Sequence, residues 1–394
     1  MLTDSRPALA QRLALTLVLV LTLWSMAAPA LAEQRITSQE YDLTLTKVAS
    51  GLRHPWGMAQ LPDGRWLISE RGGQLVRVEA NGRLERRPLG LELSARGQGG
   101  LLDIALHPKF DLSEENRQHD WLYLSFSHAK NRGSATALGR LRFSDDQPGR
   151  VERLFTQNRY STPGRHYGSR LAWLDDGSLL MSIGERGQDP DRAQDGSDHA
   201  GKILRLDENG GIPADNPFVD DPEVDDAVFS LGNRNPQGLI VAEDGRIWST
   251  EHGPRTGDEL NLIEAGINYG WPLVSRGRDY VTNLPIGRDR APGMRDPVYV
   301  FEGRFAPSGL SEVKSVGNGQ SEIFAAWRGD LLAGGLRSEQ LVRLSVDEGA
   351  VVEHEVILDG EIGRIRSVRQ GQDGAVYLLQ DAPDAGLYRL SPDQ

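Results

Sequence analysis

The chain has no cysteine in 394 residues, which excludes a disulfide framework and thiolate chemistry. Basic residues are outnumbered, with 44 Lys and Arg against 56 Asp and Glu. A surface that acidic repels phosphate backbones, so nucleic-acid binding is excluded as a main role, while divalent cations and neutral substrates are suited to it. Beyond residue 32 no apolar run approaches the roughly 20 residues needed to cross a bilayer. Long amphipathic helical periodicity is also scarce, which disfavours helical and α/β folds.

The first 32 residues stand apart from the rest. Arg6 and Arg12 flank the start, an apolar stretch runs from Leu13 to Met26, and Ala30-Leu31-Ala32 precedes Glu33. Basic, apolar and small residues in that order read as a secretory signal peptide cleaved after Ala32, with a retained N-terminal anchor as the alternative. The mature chain, 33–394, is then periplasmic or secreted and does not span a membrane. Without the two Arg and one Asp of the leader it carries 42 basic and 55 acidic residues, a net charge of −13. An exported chain without disulfides has to be held by burial, hydrogen bonds or bound ions.

What is present is a recurring turn between short apolar runs. Leu61-Pro62-Asp63-Gly64 precedes Arg65-Trp66-Leu67-Ile68-Ser69, and the pattern returns at Asp176-Gly177, Asp244-Gly245 and Asp373-Gly374. Asp-Gly supplies the positive φ of tight hairpin turns, and the β-branched and aromatic residues that follow favour strand. The glycines are 113, 68 and 129 residues apart, or about two, one and two units of roughly 60 residues. Weaker units fit near His107-Pro108 with Trp121–Ser125, and near Trp327–Leu332. Units often close with strands such as Gln74–Val78, Lys202–Leu206, Gln340–Leu344 and Gly386–Leu390. Length alone would suggest two or three domains, but six such units predict one all-β domain, a six-bladed β-propeller of four-stranded antiparallel blades. The irregular stretch Ser275 to Pro297, rich in Arg, Gly and Asp, is expected to be a functional loop over one end of the channel.

Several segments could carry chemistry. Arg234-Asn235, ahead of a predicted core strand, presents a cation and an amide near the channel mouth, or forms a loop that satisfies its own backbone. In Glu251–Asn261, Gly253-Pro254 frees backbone carbonyls, and Asp258 and Glu259 supply hard oxygens suited to calcium. Asp189–Gly196 lacks the EF-hand order and reads as a turn. His166 precedes a strand, and imidazole suits proton abstraction near neutral pH when a carboxylate orients it; Glu185, at the end of the same hairpin, could do so. The other seven histidines read as structural. Arg364 and Arg366 alternate along a strand and share a face, where two guanidiniums repel unless an anion lies between them; a ligand with several carboxylates would serve.

Taken together, these segments resemble the soluble PQQ-dependent aldose and glucose dehydrogenases, and most closely the bacterial periplasmic aldose sugar dehydrogenases. The likeness spans nearly all of the mature chain in order: Gln98-Gly99-Gly100-Leu101-Leu102, His166 with Arg170-Leu171, Leu231–Gly238, and Glu251–Trp271. The resemblance implies pyrroloquinoline quinone (PQQ) lying across the channel mouth and an aldose oxidised at C1, with electrons passing to an external acceptor. It implies that His166 is the general base, Glu185 its orienting carboxylate and Arg234 the stabiliser of developing charge, with Asn235 nearby. Gln98, Arg337, Arg364 and Arg366 would bind the cofactor's polar edge. The carbonyls of Gly253 and Pro254 would hold Ca2+ against PQQ, and Glu259 with the backbone of Tyr269 a second, structural Ca2+. Departures fall at Arg165, where an acidic residue is usual, at Arg337 in place of Lys, at Glu185 in place of Asp, and across Ser275–Pro297, which lacks the aromatic-rich sequence that contacts sugar in the glucose enzymes. They point to a broad aldose range rather than glucose selectivity. The rival readings are a calcium-dependent, lactonase-like propeller hydrolase and a non-catalytic sugar- or protein-binding propeller.

Overall fold

A computed structural model describes residues 33–113, 118–144, 148–162, 164–315 and 323–393. The expected signal peptide lies outside them. Two strands come first, β1 (Glu33–Thr37) and β2 (Asp42–Leu52). The first blade is β3 (Pro55–Gln60), β4 (Trp66–Glu70), β5 (Gln74–Val78) and β6 (Leu84–Pro88). The second is β7 (Leu101–Leu106), β8 (Trp121–Lys130), β9 (Gly133–Arg142) and β10 (Glu152–Thr156). The third is β11 (Leu171–Trp173), β12 (Leu179–Ile183), β13 (Lys202–Leu206) and β14 (Val228–Leu231). The fourth is β15 (Pro236–Val241), β16 (Ile247–Glu251), β17 (Glu259–Ile263) and β18 (Tyr299–Val300). The fifth is β19 (Pro307–Glu312), β20 (Leu331–Gly335), β21 (Gln340–Asp347) and β22 (Ala350–Asp359). The last, β23 (Ile365–Gln370), β24 (Val376–Gln380) and β25 (Ala385–Pro392), is completed from the other end of the chain, since β2 pairs with β25 and β1 with β2.

The inner strands β3, β7, β11, β15, β19 and β23 each touch the next, and β23 touches β3, so the ring closes. The chain is therefore an all-β, six-bladed β-propeller of antiparallel blades. Six apolar clusters, one at each junction between neighbouring blades, form its core. Leu180 and Ile203, for example, meet Leu239 and Ile263 across the junction of the third and fourth blades. Full burial of one such aliphatic side chain contributes about 1.5–3 kcal/mol.

All four Asp-Gly pairs lie in the turn from inner to second strand, with φ between 79° and 88° at the glycines. In each, the aspartate Oδ1 accepts the N–H two residues on, at 2.7 to 3.2 Å. The two weaker units are the blades where longer connections, 107–120 and 313–330, replace this turn. The strands expected to close each unit are third strands (β5, β13, β21 and β25), and a more exposed fourth strand lies outside them. Asp189–Gly196 is a turn with one 3-10 segment, Pro190–Ala193. Among the described residues no helix is long and apolar enough to cross a membrane.

Candidate active site

The six inner strands begin around one mouth of the channel. Just before β11, the backbone turns left-handed at His166 (φ 51°), and its N–H donates to Gln98 Oε1 at 2.7 Å. Just after β12, Glu185 places Oε1 2.5 Å from His166 Nδ1 and accepts the Gly187 N–H on Oε2. A carboxylate on Nδ1 fixes the proton there and leaves Nε2 as the basic nitrogen. Burial lowers the His166 pKa, against the upward pull of Glu185, and the positive charge of Arg234 lowers it further. Burial raises Glu185, but the hydrogen bond from His166 and the charges of His166 and Arg234 outweigh it and hold the carboxyl below its usual range.

Arg234 is buried beside the dyad. Its carbonyl accepts the Glu185 N–H at 2.8 Å, and its Nη1 donates to His252 O at 3.1 Å and Gly253 O at 2.7 Å. Asn235 Oδ1 accepts the Gly168 N–H at 3.1 Å. Next to them opens a cavity of about 370 Å³ lined by Gln98, Asn235, Arg364 and Arg366, together with Arg71, Trp56, Tyr167, Gln237, His252, Leu336 and Asp381. Ligand pockets fall in this range. The full charges on its wall are three guanidiniums and one carboxylate, a net +2 in an acidic chain.

The cavity floor is cross-braced. Arg170, wholly buried, donates Nε to Gln237 O at 2.6 Å, Nη1 to Asp103 at 3.2 Å and Nη2 to Arg366 O at 2.9 Å, and stacks 4.1 Å over Trp56. One guanidinium from the third blade thus ties together the first, second, fourth and sixth.

The anion expected between Arg364 and Arg366 exists, but it is Asp381. It accepts from Arg364 Nε and Nη2 at 3.0 and 2.7 Å and from Arg366 Nη2 at 3.1 Å. The pair alone therefore requires no ligand carboxylate. Arg337 is exposed and does not line the cavity; its neighbour Leu336 does. The Gly253 carbonyl is taken by Arg234. Glu259 faces Glu251 directly across β16 and β17, and burial followed by mutual repulsion raises Glu259; burial likewise raises Glu251. The Tyr269 hydroxyl donates to Leu262 O at 2.6 Å, and the residue is buried. Among the described residues no group of three or more His, Cys, Asp or Glu converges as a metal cluster. Ser275–Pro297 packs on Pro254 and Arg255, and none of it lines the cavity wall.

Arg71, His252, Asp381, Trp56 and Gln237 were not anticipated as cavity residues. The first three share a signal. Counted from the glycine of each Asp-Gly turn, position +7 is Arg71, Gly184, His252 and Asp381, and only the second falls off the wall. Gly184 sits where a Cβ would meet the His166 carbonyl at 2.4 Å, directly beneath the dyad. Burial pushes His252 down to about 3, so it is neutral, with Nε2 donating to Pro307 O at 2.6 Å.

The chain is similar to known proteins over most of its length. The family model described as glucose/sorbosone dehydrogenase matches residues 52–389. A protein of Escherichia coli named aldose sugar dehydrogenase YliI is 36% identical over 349 residues, 86% of this chain and 91% of that one. The solved soluble aldose sugar dehydrogenase of Escherichia coli, in its apo form, superposes with a TM-score of 0.82 at 34% identity, covering 89% of this chain and 100% of that chain. The PQQ-bound aldose sugar dehydrogenase of Streptomyces coelicolor superposes with a TM-score of 0.73 at 28% identity, covering 93% and 100%.

Proposed function

Since the chain belongs to the glucose/sorbosone dehydrogenase family, we propose that it is an exported quinoprotein that oxidises aldose sugars at C1 to the lactone, with PQQ as oxidant and an external acceptor taking the electrons. The observation that carries this reading is the His166–Glu185 dyad held at 2.5 Å beside a cavity of net positive wall charge.

The residues present fit a flat polyanion. Arg71, Arg364 and Arg366 exceed Asp381 in charge, and Trp56 offers a ring face. The buried Nε atoms of Arg234 and Arg366 have no protein partner, although neither is exposed to the cavity. When bound, PQQ supplies the oxidising equivalent by accepting hydride from C1. His166 Nε2 takes the proton of the anomeric hydroxyl, so a carbonyl forms at C1 as hydride leaves. Glu185 holds the tautomer and stabilises the resulting imidazolium. Arg234, one residue before the wall residue Asn235, places fixed positive charge where negative charge develops. Gln98, Asn235, Arg364 and Arg366 bind the polar edge; Arg337 joins them only if its exposed side chain turns inward.

The two proposed calcium sites differ in support. At Gly253-Pro254, Arg234 donates to the Gly253 carbonyl, which leaves that oxygen a second lone pair but sets a guanidinium beside it, and no step is assigned to an ion there. At Glu259, a cation would relieve the repulsion with Glu251, so a structural Ca2+ between these carboxylates and the Tyr269 backbone fits. The hydrolase alternative needs carboxylates converging at the channel centre; that centre holds Arg170 and Arg366, with Asp103 against Arg170. The absence from Ser275–Pro297 of the aromatic-rich sequence that contacts sugar in the glucose enzymes supports a broad aldose range.

The test is reconstitution. Apo-protein with calcium, PQQ, a panel of aldoses and a redox dye should reduce the dye only when all are present. His166→Gln should take up PQQ without turnover. Tight PQQ uptake with no activity on any aldose would overturn the reading in favour of a binding role.

A further inference from the structure

We propose that Arg186 is the positioning residue of the dyad, a brace that fixes the segment carrying His166 against Glu185 from behind. The inference rests on the reading of His166 as the base.

The dyad joins two chain segments, and both run through backbone that side chains rarely adopt. φ is 51° at His166, 82° at Ser169 and 70° at Arg186, beside positive values at Gly168 and Gly187. Left-handed backbone at residues other than glycine persists only where surrounding contacts over-determine it. Arg186 supplies such contacts. It follows Glu185 in the chain, is wholly buried, and sends Nη1 to the carbonyl of Arg165, the residue before His166. Its Nη2 reaches Ser134 Oγ at 3.2 Å and Ser134 O at 3.4 Å, on β9 of the neighbouring blade. The guanidinium carbon lies 3.6 Å from the centre of the Tyr167 ring. Tyr167 follows His166, lines the cavity and shares a 2.7 Å hydrogen bond with Ser134 Oγ.

One planar side chain thus grips the residues before and after His166 while its own backbone carries Glu185, and anchors both to a third element. Lysine has the charge but neither the fork nor the flat face. Arg186 is not a wall residue of the cavity. Its effect on a reaction would pass through the dyad, whose imidazole also faces Arg234 and Arg165.

Three full-length variants test this: Ser134→Ala, which removes one anchor, and Arg186→Lys and Arg186→Met, which remove the brace. In the apo-protein, the His166 imidazole is followed by NMR titration, assigned among the eight histidines by its loss in His166→Gln. A loosened hydrogen bond to Glu185 should move its midpoint down, in the order Ser134→Ala, then Arg186→Lys. In the reconstituted enzyme kcat should fall about tenfold to a hundredfold for Arg186→Lys, as for other small misplacements of a catalytic group, with KM nearly unchanged. If Arg186→Met does not fold, the two milder variants carry the test. Folded variants with an unmoved midpoint and wild-type kcat would overturn the proposal. A shifted midpoint together with full turnover by His166→Gln would instead overturn the reading of His166 as base and leave the brace standing.

Discussion

The Arg170–Asp103 pair offers the sharpest test of how the channel is held. Arg170→Met keeps much of the apolar stem and deletes the charge, leaving Asp103, wholly buried, with the Leu171 N–H at 3.0 Å and the more distant Arg369 guanidinium at 3.9 Å, both on its Oδ2. Burial pushes the Arg170 pKa down to about 10, so the guanidinium is charged at neutral pH and the loss is that of an ion. Breaking a buried pair from one side costs about 3–5 kcal/mol. The carbonyls of Gln237 and Arg366 lose their donor as well, about 1–3 kcal/mol each if water does not replace it. Since these terms overlap, about 4–6 kcal/mol is expected. Asp103→Asn should cost about 2–4 kcal/mol, and the double variant less than the sum by more than about 1.5 kcal/mol, because it removes both charges together. Urea unfolding followed by tryptophan fluorescence gives the midpoints, compared at a common slope. Trp56, under the guanidinium, reports locally. A cost below about 1 kcal/mol for Arg170→Met, or additivity within about 0.5 kcal/mol, would refute the picture of a guanidinium hub joining the blades.

Three further outcomes follow from the same coordinates. The pH profile of kcat/KM should show an acid limb from His166 with its midpoint below 6.5, because burial and Arg234 outweigh Glu185; a midpoint above that value would contradict the burial of the imidazole. Asp381→Asn should destabilise the apo-protein, since Arg364 and Arg366 lose their common acceptor, yet tighten PQQ binding about tenfold by raising the wall charge. Quenching of tryptophan fluorescence measures that affinity, and weaker binding would show that Asp381 orders the arginines more than it offsets them. The Glu251 and Glu259 pKa values are raised, so the stability that goes with their neutral forms is full below the unfolded value of 4.5 and is lost as pH rises through the folded values. In EDTA the melting temperature should therefore fall between about pH 5 and about pH 8, calcium should remove the slope, and Glu259→Gln should abolish the calcium response and reduce the slope to the part that comes from the burial of Glu251. A calcium response that survives Glu259→Gln places the ion elsewhere.

The propeller was legible because a local device recurs. An aspartate that accepts the N–H two residues on, followed by a glycine at positive φ, is encoded in two adjacent letters, and four of six blades carry it. The two other blades had to be inferred from spacing, since their longer connections carry no such pair. Third strands were taken for closing strands because the true outer strands face solvent: β6 reads Leu-Glu-Arg-Arg-Pro, and most of β22 is exposed. A strand with little to bury leaves little pattern. Closure by β2 could not be read locally either, since its partner β25 lies at the far end of the chain. There Glu40 meets Arg343 at 3.2 Å and accepts the Trp327 indole N–H at 2.9 Å, while Tyr41 packs edge-on to Trp327 at 5.3 Å. These contacts extend the closure onto the fifth blade.

Paired arginines on one face need an anion between them, and Asp381 supplies it. What sequence could not supply was the identity of that anion, because Asp381 reaches the pair from the end of the next strand. The same holds deeper in the channel, where Asp103 answers Arg170. Counting cations therefore overstates the attraction for a polyanion. The residual matters: three guanidiniums against one carboxylate on the wall. A pocket whose charges were fully answered by its own residues would hold its shape equally well and would gain nothing by admitting a tricarboxylate. This one keeps a net positive wall in a chain whose net charge is −12, and that surplus, rather than the number of arginines, is the physical basis for proposing an anionic cofactor in the cavity.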